Sequence, residues 1–587
     1  MKLKLLLSIL IISPSLFAQV EKETTNDDVL PRYMTEAEKK IMGQYYSNYQ
    51  FGQKGIETPP TGNIRCAAQW EEVQTLVITW TGQFNTIQSA IVDAAQEECR
   101  VLIACSDSNS VKSTLASNGV PDVNLEFLEI PFNSIWMRDY GANTMYKNDV
   151  DSLFVVDWIY NRPRPDDDVM PEEHALWHNI PIYTTTSAPS DLVNTGGNWM
   201  VDGHGTAFAS ELILEENEPG NPYFVTAKTE TDINNVMSDF MGITRYIKMP
   251  VLPYDNIHHI DMHMKLIDEE TLLVSEYPVG VADGPQIEAN LQYVLANHNS
   301  VFGTPYKVVR IVVPPSTGGA YPNNGGSYRT YSNSVFINKT ILVPTYRQEY
   351  DTMAMNTLSA ALPGYTLVGI DVDNGGQNLI SLSGAIHCIT HSIGVADPLR
   401  ITHQSLEDTY NDVTPYIINA DLQHVSGITA ATLYYTTTLG GAYTSVSMTY
   451  SGVGNTWNSS IPAQVVGTTI YYYIEGNATS GKVGVRPMVA PTGYWDFKIL
   501  SSAGLNENAI SVSLDDVFPN PASAITCIPV NTSKATQAKI TLRDLTGQLV
   551  EIIFEGEIPM GESKYFLMAN EYAAGSYLIV FETNDSQ

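Results

Sequence analysis

The chain has 587 residues, too many for one ordinary domain and enough for about three or four. Hydrophobic residues make up 43%, which provides for real cores and excludes wholesale disorder. A net charge of -33 excludes a nucleic-acid binder, whose phosphate-facing surface needs clustered Lys and Arg.

Residues 1–18 open with Met1-Lys2-Leu3-Lys4, continue through an apolar run from Leu5 to Ile12, and end on Ser13-Pro14-Ser15-Leu16-Phe17-Ala18. A basic start, a short apolar core and a small exit residue predict a secretory signal peptide. The run is too short to span a bilayer and no other stretch approaches the necessary length, so no transmembrane segment is expected and the chain should be secreted or cell-surface. In that compartment cysteines often pair. Cys66, Cys99 and Cys105 offer one bridge, or Cys99 and Cys105, which flank or end a predicted strand, are core residues; an odd total of five leaves at least one thiol free, for which Cys388 is the candidate. Residues 19–59 read as a polar pro-segment or linker, acidic from Glu21 to Asp28 and weakly helical from Glu36 to Gln44.

From 60 to 397 strand and helix patterns alternate. Strands are predicted at Thr75 to Trp80, Arg100 to Cys105, Leu125 to Ile130, Leu272 to Glu276, Val308 to Val313, Ser334 to Val343 and Thr366 to Ile370. Helices are predicted at Ile87 to Ala95, Ile287 to Ala296 and Met353 to Leu362. This is a mixed α/β domain of catalytic size. No sequence repeat reveals an internal symmetry. After Asp397 the helical signals vanish. Thr432 to Thr436, Thr469 to Tyr473 and Tyr494 to Phe497 are short strands with Gly-, Asn- and Ser-bearing turns, predicting a β-sandwich of immunoglobulin-like size over 398–500. A polar linker at 501–510 leads to a small all-β unit at 511–587.

Five runs could carry chemistry. Trp136-Met137-Arg138-Asp139-Tyr140-Gly141 offers an apolar wall beside a carboxylate for a flat cation, or a surface Arg138–Asp139 pair with a core Trp. Arg162-Pro163-Arg164 suits a carboxylate clamp, or is solvated charge answering Asp166-Asp167-Asp168. The glycine-dense run from Asn194 to Thr206 shapes a pocket rim but lacks phosphate-loop spacing, and Asp202 within it is a pocket or a turn residue. In His258-His259-Ile260-Asp261-Met262-His263, a strand would put His259, Asp261 and His263 on one face, as metal ligands, as an acid/base histidine beside a substrate-gripping carboxylate, or as a polar edge without a role. Last comes Ser383-Gly384-Ala385-Ile386-His387-Cys388-Ile389-Thr390, whose thiol is either a buried small hydrophobe or a nucleophile.

In this order, Trp136-x-Arg138-Asp139-x-Gly141, Gly196-Gly197-Asn198 with Asp202-Gly203-x-Gly205-Thr206, His259-x-Asp261, Tyr331-x-Asn333 and Ile386-His387-Cys388-Ile389-Thr390 resemble the bacterial peptidylarginine deiminase and agmatine deiminase group over about 60 to 396. The resemblance implies a pentein fold, a five-bladed α/β propeller. It implies Cys388 as nucleophile, His259 as acid and base, Asp139 and Asp261 as holders of a guanidinium, and Asn333 beside the thiol. Trp136, Arg162, Arg164 and Asp202 would bind substrate. No metal and no cofactor is implied. In the secreted members a matching Arg-x-Arg grips the carboxylate of a C-terminal arginine, so arginine-containing peptides are the expected substrates and citrulline with ammonia the products. Ala142 and His391 stand where the agmatine deiminases have proline and glutamine. The alternatives are an exported agmatine or free-arginine deiminase, and a surface adhesive protein with an inactive deiminase module. Phe518-Pro519-Asn520-Pro521, Asp544-Leu545-x-Gly547 and Gly575-x-Tyr577 resemble type IX sorting domains, implying the secretion machinery as partner, although the usual basic last strand is missing before Gln587.

Overall fold

Between Ile64 and Gly394 the chain repeats one topological unit five times. Each unit pairs a short strand antiparallel with a longer one, then returns through a helix to a third strand parallel to the second, as a parallel pair requires. Four units run in chain order. The first comprises Asn143–Lys147, Leu153–Tyr160, helix Met170–His178 and Ile182–Thr185. Met200–Val201, Thr206–Ser210, helix Glu230–Met241 and Arg245–Met249 form the second. Met264–Leu266, Thr271–Glu276, helix Gly284–Asn297 and Lys307–Val312 form the third. Val335–Ile337, Thr340–Thr345, helix Gln348–Ala361 and Thr366–Asp371 form the fourth. The fifth joins both ends of the domain. Its short strand is Thr390–Gly394, paired antiparallel with Val73–Trp80, which continues through helix Asn85–Gln96 to Arg100–Cys105 and on to Leu125–Glu129.

This is a computed structural model, and it describes residues 29–48, 55–501, 512–514, 517–518, 520–522, 525–569 and 572–583. The predicted signal peptide and residues 502–510 of the predicted linker lie outside the described residues. The long strands are apolar runs because both their faces are covered; all eight residues of Leu153–Tyr160 are buried. Helix Asn85–Gln96 turns Ile87, Ile91, Val92 and Ala95 onto the sheet at helical spacing. The predicted strand Ser334 to Val343 is two strands instead. Asn338, at φ 50°, turns the chain into a hairpin with Lys339, as Asn does where left-handed backbone is needed. The His258 run does not form the strand on which a shared face would depend. His258 has φ 58° and Ile260–Met262 form one 3-10 turn, so alternation of faces does not apply there. All five cysteines are free and buried, so the core reading holds for Cys99 and Cys105, and Cys66 takes part in no bridge either.

Two sheets face each other over 400–498. One orders Arg400–Thr402, Tyr416–Gln423, Thr456–Ile461 and Thr449–Tyr450; the other centres on Ile428–Thr436 and Thr469–Ala478. Strand Tyr416–Gln423 alternates buried and exposed, sending Ile418, Ala420 and Leu422 inward against Leu433, Ile470 and Phe497. The last unit is two three-stranded sheets built around Ile525–Thr532 and Thr536–Asp544. It rests on the α/β domain, whose core cluster includes Cys527 and Phe566.

Ahead of the α/β domain, helix Glu36–Asn48 lies on its surface. Met42 and Tyr46 pack with Ile159, Val193, Tyr223 and Val225, and the Tyr46 hydroxyl donates to the Tyr160 carbonyl at 2.7 Å.

Candidate active site

The five motifs that carry the resemblance share one topological place: each lies just before or around the short strand that opens a unit, whereas the Arg162–Arg164 run follows a long strand. Asp139 precedes Asn143–Lys147, Gly196–Asn198 precede Met200–Val201, and Asp261 precedes Met264–Leu266. Asn333 precedes Val335–Ile337, and Cys388 precedes Thr390–Gly394. Equivalent loops of five equivalent units meet, and close packing at glycine lets them. A Cβ on Gly196 would overlap the Arg138 carbonyl, one on Gly384 would overlap the Trp136 ring, and one on Gly141 would lie 2.6 Å from the His391 ring.

At the meeting point lies a guanidinium that belongs to the chain itself. Arg32 Nε and Nη2 donate to Asp139 at 2.9 and 2.8 Å. Its Nη1 and Nη2 donate to Asp261 at 3.2 and 3.1 Å. The two carboxylates thus take two edges of the planar group in paired, charge-assisted bonds. Nη1 also donates to Cys388 Sγ at 2.6 Å. Arg32, His259 and Cys388 all have 0% exposure. Burial opposes the Arg32 charge, yet the attraction of Asp139 and Asp261 outweighs it and holds its pKa well above the ordinary arginine value.

Asn333 ties the thiol to the main chain at Asp261. Its Oδ1 accepts from the His387 amide at 3.1 Å and from the Cys388 thiol at 3.3 Å, while its Nδ2 donates to the Asp261 carbonyl at 3.2 Å. The Ala385 amide donates to Sγ at 3.3 Å. Burial pushes the thiol pKa up, the Arg32 cation works against that, and Asp261 and Asp139 add to it. His259 Nδ1 is 3.6 Å from Asp139 Oδ1. Burial and then the Arg32 charge push this histidine well below its ordinary value, so it is neutral.

The clamp arginines are buried rather than solvated, and both face the N-terminal segment. Arg162 Nε donates to the Arg32 carbonyl at 3.2 Å. Arg164 donates to the Pro31 carbonyl at 2.8 Å and to both Glu38 oxygens at 2.7 and 3.3 Å. The nearby Asp167 accepts instead from Asn133 and Ser134. Trp136 is fully buried and its Nε1 donates to the Leu30 carbonyl at 2.8 Å. Arg138 and Asp139 do not form a surface pair. Arg138 turns away, its Nε on the His387 carbonyl at 3.3 Å, and burial lowers its pKa to about 10.

Asp202 makes its bonds away from this cluster. Its Oδ1 accepts from the His204 and Thr206 amides at 2.7 and 2.9 Å, which is the turn-forming reading of that residue. His263, expected to share a face with His259 and Asp261, points into the core with neither ring nitrogen bonded among the described residues. Among those residues no group of three His, Cys, Asp or Glu side chains is arranged to hold a metal ion.

Sequence reasoning missed three participants. Arg32 and Glu38 lay in a segment whose polar composition reads as linker. His387 stood in plain view beside the thiol without a role. Its Nδ1 donates to Asp261 at 2.8 Å and its Nε2 accepts from Gln69, whose Oε1 takes a bond from Lys265 at 2.6 Å. Burial, then Arg138, drops the Lys265 pKa to about 7.

A family model described as Porphyromonas-type peptidyl-arginine deiminase matches residues 65–393, and one described as a secretion system C-terminal sorting domain matches 516–587. A protein of Legionella pneumophila (strain Paris) named "Putative agmatine deiminase" is 27% identical over 285 residues, 47% of this chain and 77% of that protein. One of the same name from Mycoplasma mycoides subsp. mycoides SC is 24% identical over 383 residues, 58% of this chain and 98% of its own. Among solved structures, the "Putative Arginine Deiminase" of Porphyromonas gingivalis aligns with TM-score 0.49 at 21% identity, covering 57% of this chain and all of that one. The agmatine deiminase of Enterococcus faecalis aligns with TM-score 0.48 at 18% identity, covering 58% and 99%.

Proposed function

The chain belongs to the Porphyromonas-type peptidyl-arginine deiminase family, and from that premise we propose that it converts arginine in peptides to citrulline with release of ammonia. The observation that carries this reading is the Arg32 guanidinium, gripped on two edges by Asp139 and Asp261 with Cys388 Sγ against it. A guanidinium carbon is a poor electrophile because the cation is resonance-stabilised. Two carboxylates that fix the group and a thiol held within hydrogen-bond distance of Nη1 answer that difficulty by position.

In the proposed sequence Cys388 gives its proton to the neutral His259 and attacks Cζ as the thiolate, and one C–N bond breaks as His259 delivers that proton to the departing ammonia. This leaves a thiouronium on Cys388. A water, deprotonated by His259, then attacks the same carbon and expels the thiolate, leaving the ureido group of citrulline. Asn333 positions the sulfur, and His387 holds Asp261. The substrate cation is part of the apparatus, since its charge is what lowers the pKa of a thiol that burial raises. The chain's own residues suffice for every step.

Arg162 supports a peptide over agmatine. It donates to the Arg32 carbonyl oxygen, the atom that becomes one oxygen of the carboxylate in a C-terminal arginine, and agmatine has no such atom. The sorting-domain match supports export through the type IX machinery, with the 398–500 sandwich in the place of an immunoglobulin-like domain. Among the described residues no helix is long and apolar enough to cross a membrane. The test is ammonia release from a peptide ending in arginine, the same peptide amidated, and agmatine, measured in an Arg32→Ala background. The free-carboxylate peptide should react fastest and Cys388→Ala should abolish all three. Agmatine turnover equal to or above that of the peptide refutes the substrate assignment.

A further inference from the structure

We propose that residues 29–48 are an intramolecular inhibitor, and that the intact chain is latent because Arg32 occupies the pocket meant for the substrate's guanidinium. The proposal rests on the deiminase reading of that pocket. It does not rest on one contact. Trp136, Arg164 and Arg162 bind three successive main-chain carbonyls of the segment, those of Leu30, Pro31 and Arg32. The Arg32 amide donates to the Leu382 carbonyl at 2.9 Å, six residues before the thiol. Glu38 then lays both carboxylate oxygens on Arg164, supplying from within the chain the anion that a clamp of this kind takes from a substrate. Finally helix Glu36–Asn48 is held by Met42 and Tyr46 in an apolar seat well outside the catalytic residues.

The segment therefore fills the cation pocket, the carbonyl-binding positions and one clamp arginine together, and nothing of a second peptide can enter. It also seals the site against water, which the second half of the reaction needs at Cζ. Cys388 and His259 are fully buried beneath it, and the Arg32 side chain that it inserts is fully buried as well. A cation held in this way blocks rather than reacts, so Arg32 should persist as arginine in the intact chain.

A tethered occupant competes at an effective concentration of about a millimolar. For an occupant that binds with a dissociation constant of about 0.1 mM, the apparent KM of an outside substrate rises about tenfold, and a tighter occupant raises it further. The experiment compares the full wild-type chain with full-length Arg32→Ala, Arg32→Lys and Tyr46→Ala. Tyr46→Ala leaves every group in the pocket in place and only loosens the helix, so it guards against misfolding of an Arg32 variant. Two readouts are used: the KM for an N-acyl-arginine, and the rate at which 2-chloroacetamidine, an amidinium that alkylates thiols, labels Cys388. Arg32→Ala and Tyr46→Ala should lower KM and speed labelling at least about tenfold, with Arg32→Lys between them and wild type. Mass analysis should find residue 32 unmodified in wild type. Equal KM and equal labelling across all four chains overturn the proposal, and so does a one-dalton gain at residue 32 in wild type that Cys388→Ala abolishes. If Arg32→Ala labels faster yet releases no ammonia from any guanidine, the occupancy stands and the deiminase reading fails.

Discussion

Replacing Asp139 by Asn tests how the site holds its cation. Asp139 accepts two bonds from the bound guanidinium, at Nε and Nη2. Hydrogen bonds to a charged group contribute about 1.5–3 kcal/mol each, so the carboxylate accounts for about 3–6 kcal/mol of the grip. The amide keeps the shape and one acceptor oxygen but turns an N–H donor toward an N–H donor, so the loss should be at least about 3 kcal/mol. That is about a hundredfold in kcat/KM. The assay is ammonia release from a peptide ending in arginine, with Arg32→Ala as the common background so that the tethered guanidinium does not respond to the same change. Inhibition by the matching citrulline peptide is measured in parallel. The ureido group is neutral and should lose far less than the cation. A fall of less than about threefold in kcat/KM, or equal weakening of citrulline and arginine peptides, refutes the two-carboxylate account.

Gly197→Ala should raise KM by at least tenfold without removing a reactive group, because its Cβ would overlap the space taken by Arg32 Nη2 and close on His259; kinetics with unchanged KM would show that the pocket has room. Asp202→Ala should cost about 1–3 kcal/mol of stability through two unsatisfied turn amides, with kcat/KM within twofold, so a tenfold activity loss by kinetic assay would return Asp202 to the substrate site. Glu38→Gln gives a pH-dependent stability difference. Burial opposes the Glu38 charge, but its bonds from Arg164 win and lower its folded pKa below the ordinary value. Its contribution is then fully present above the unfolded value of about 4.3 and is lost as pH falls through the lower folded one. Melting temperatures of Glu38→Gln and wild type should differ by a constant amount from pH 5 to 8 and converge toward pH 3; a gap that widens on acidification contradicts the pairing.

Much of the molecule could be read from residues in order. Buried-type strands such as Thr75 to Trp80 and amphipathic helices such as Ile87 to Ala95 announce themselves because their periodicity is set by the backbone they build. The Ser334 to Val343 run misled because a single Asn in left-handed backbone interrupts an otherwise strand-like composition. The His258 run misled for a related reason, since a positive φ and a 3-10 turn break the alternation on which a shared face depends.

The sequence by itself determined the chemistry available: a thiol, two carboxylates, a histidine, an asparagine and a pair of arginines in a fixed order, within an acidic chain long enough for several domains. Their convergence was decided only in three dimensions. The five runs are separated by tens of residues and share no repeat, and they meet because each enters the same short strand of one repeated unit. That equivalence is a property of strand pairing, and strand pairing leaves no mark on local composition. The tertiary structure also decided what occupies the site. Arg32 lies 356 positions from Cys388, and a polar segment ahead of a domain looks like a linker until its guanidinium is found between Asp139 and Asp261.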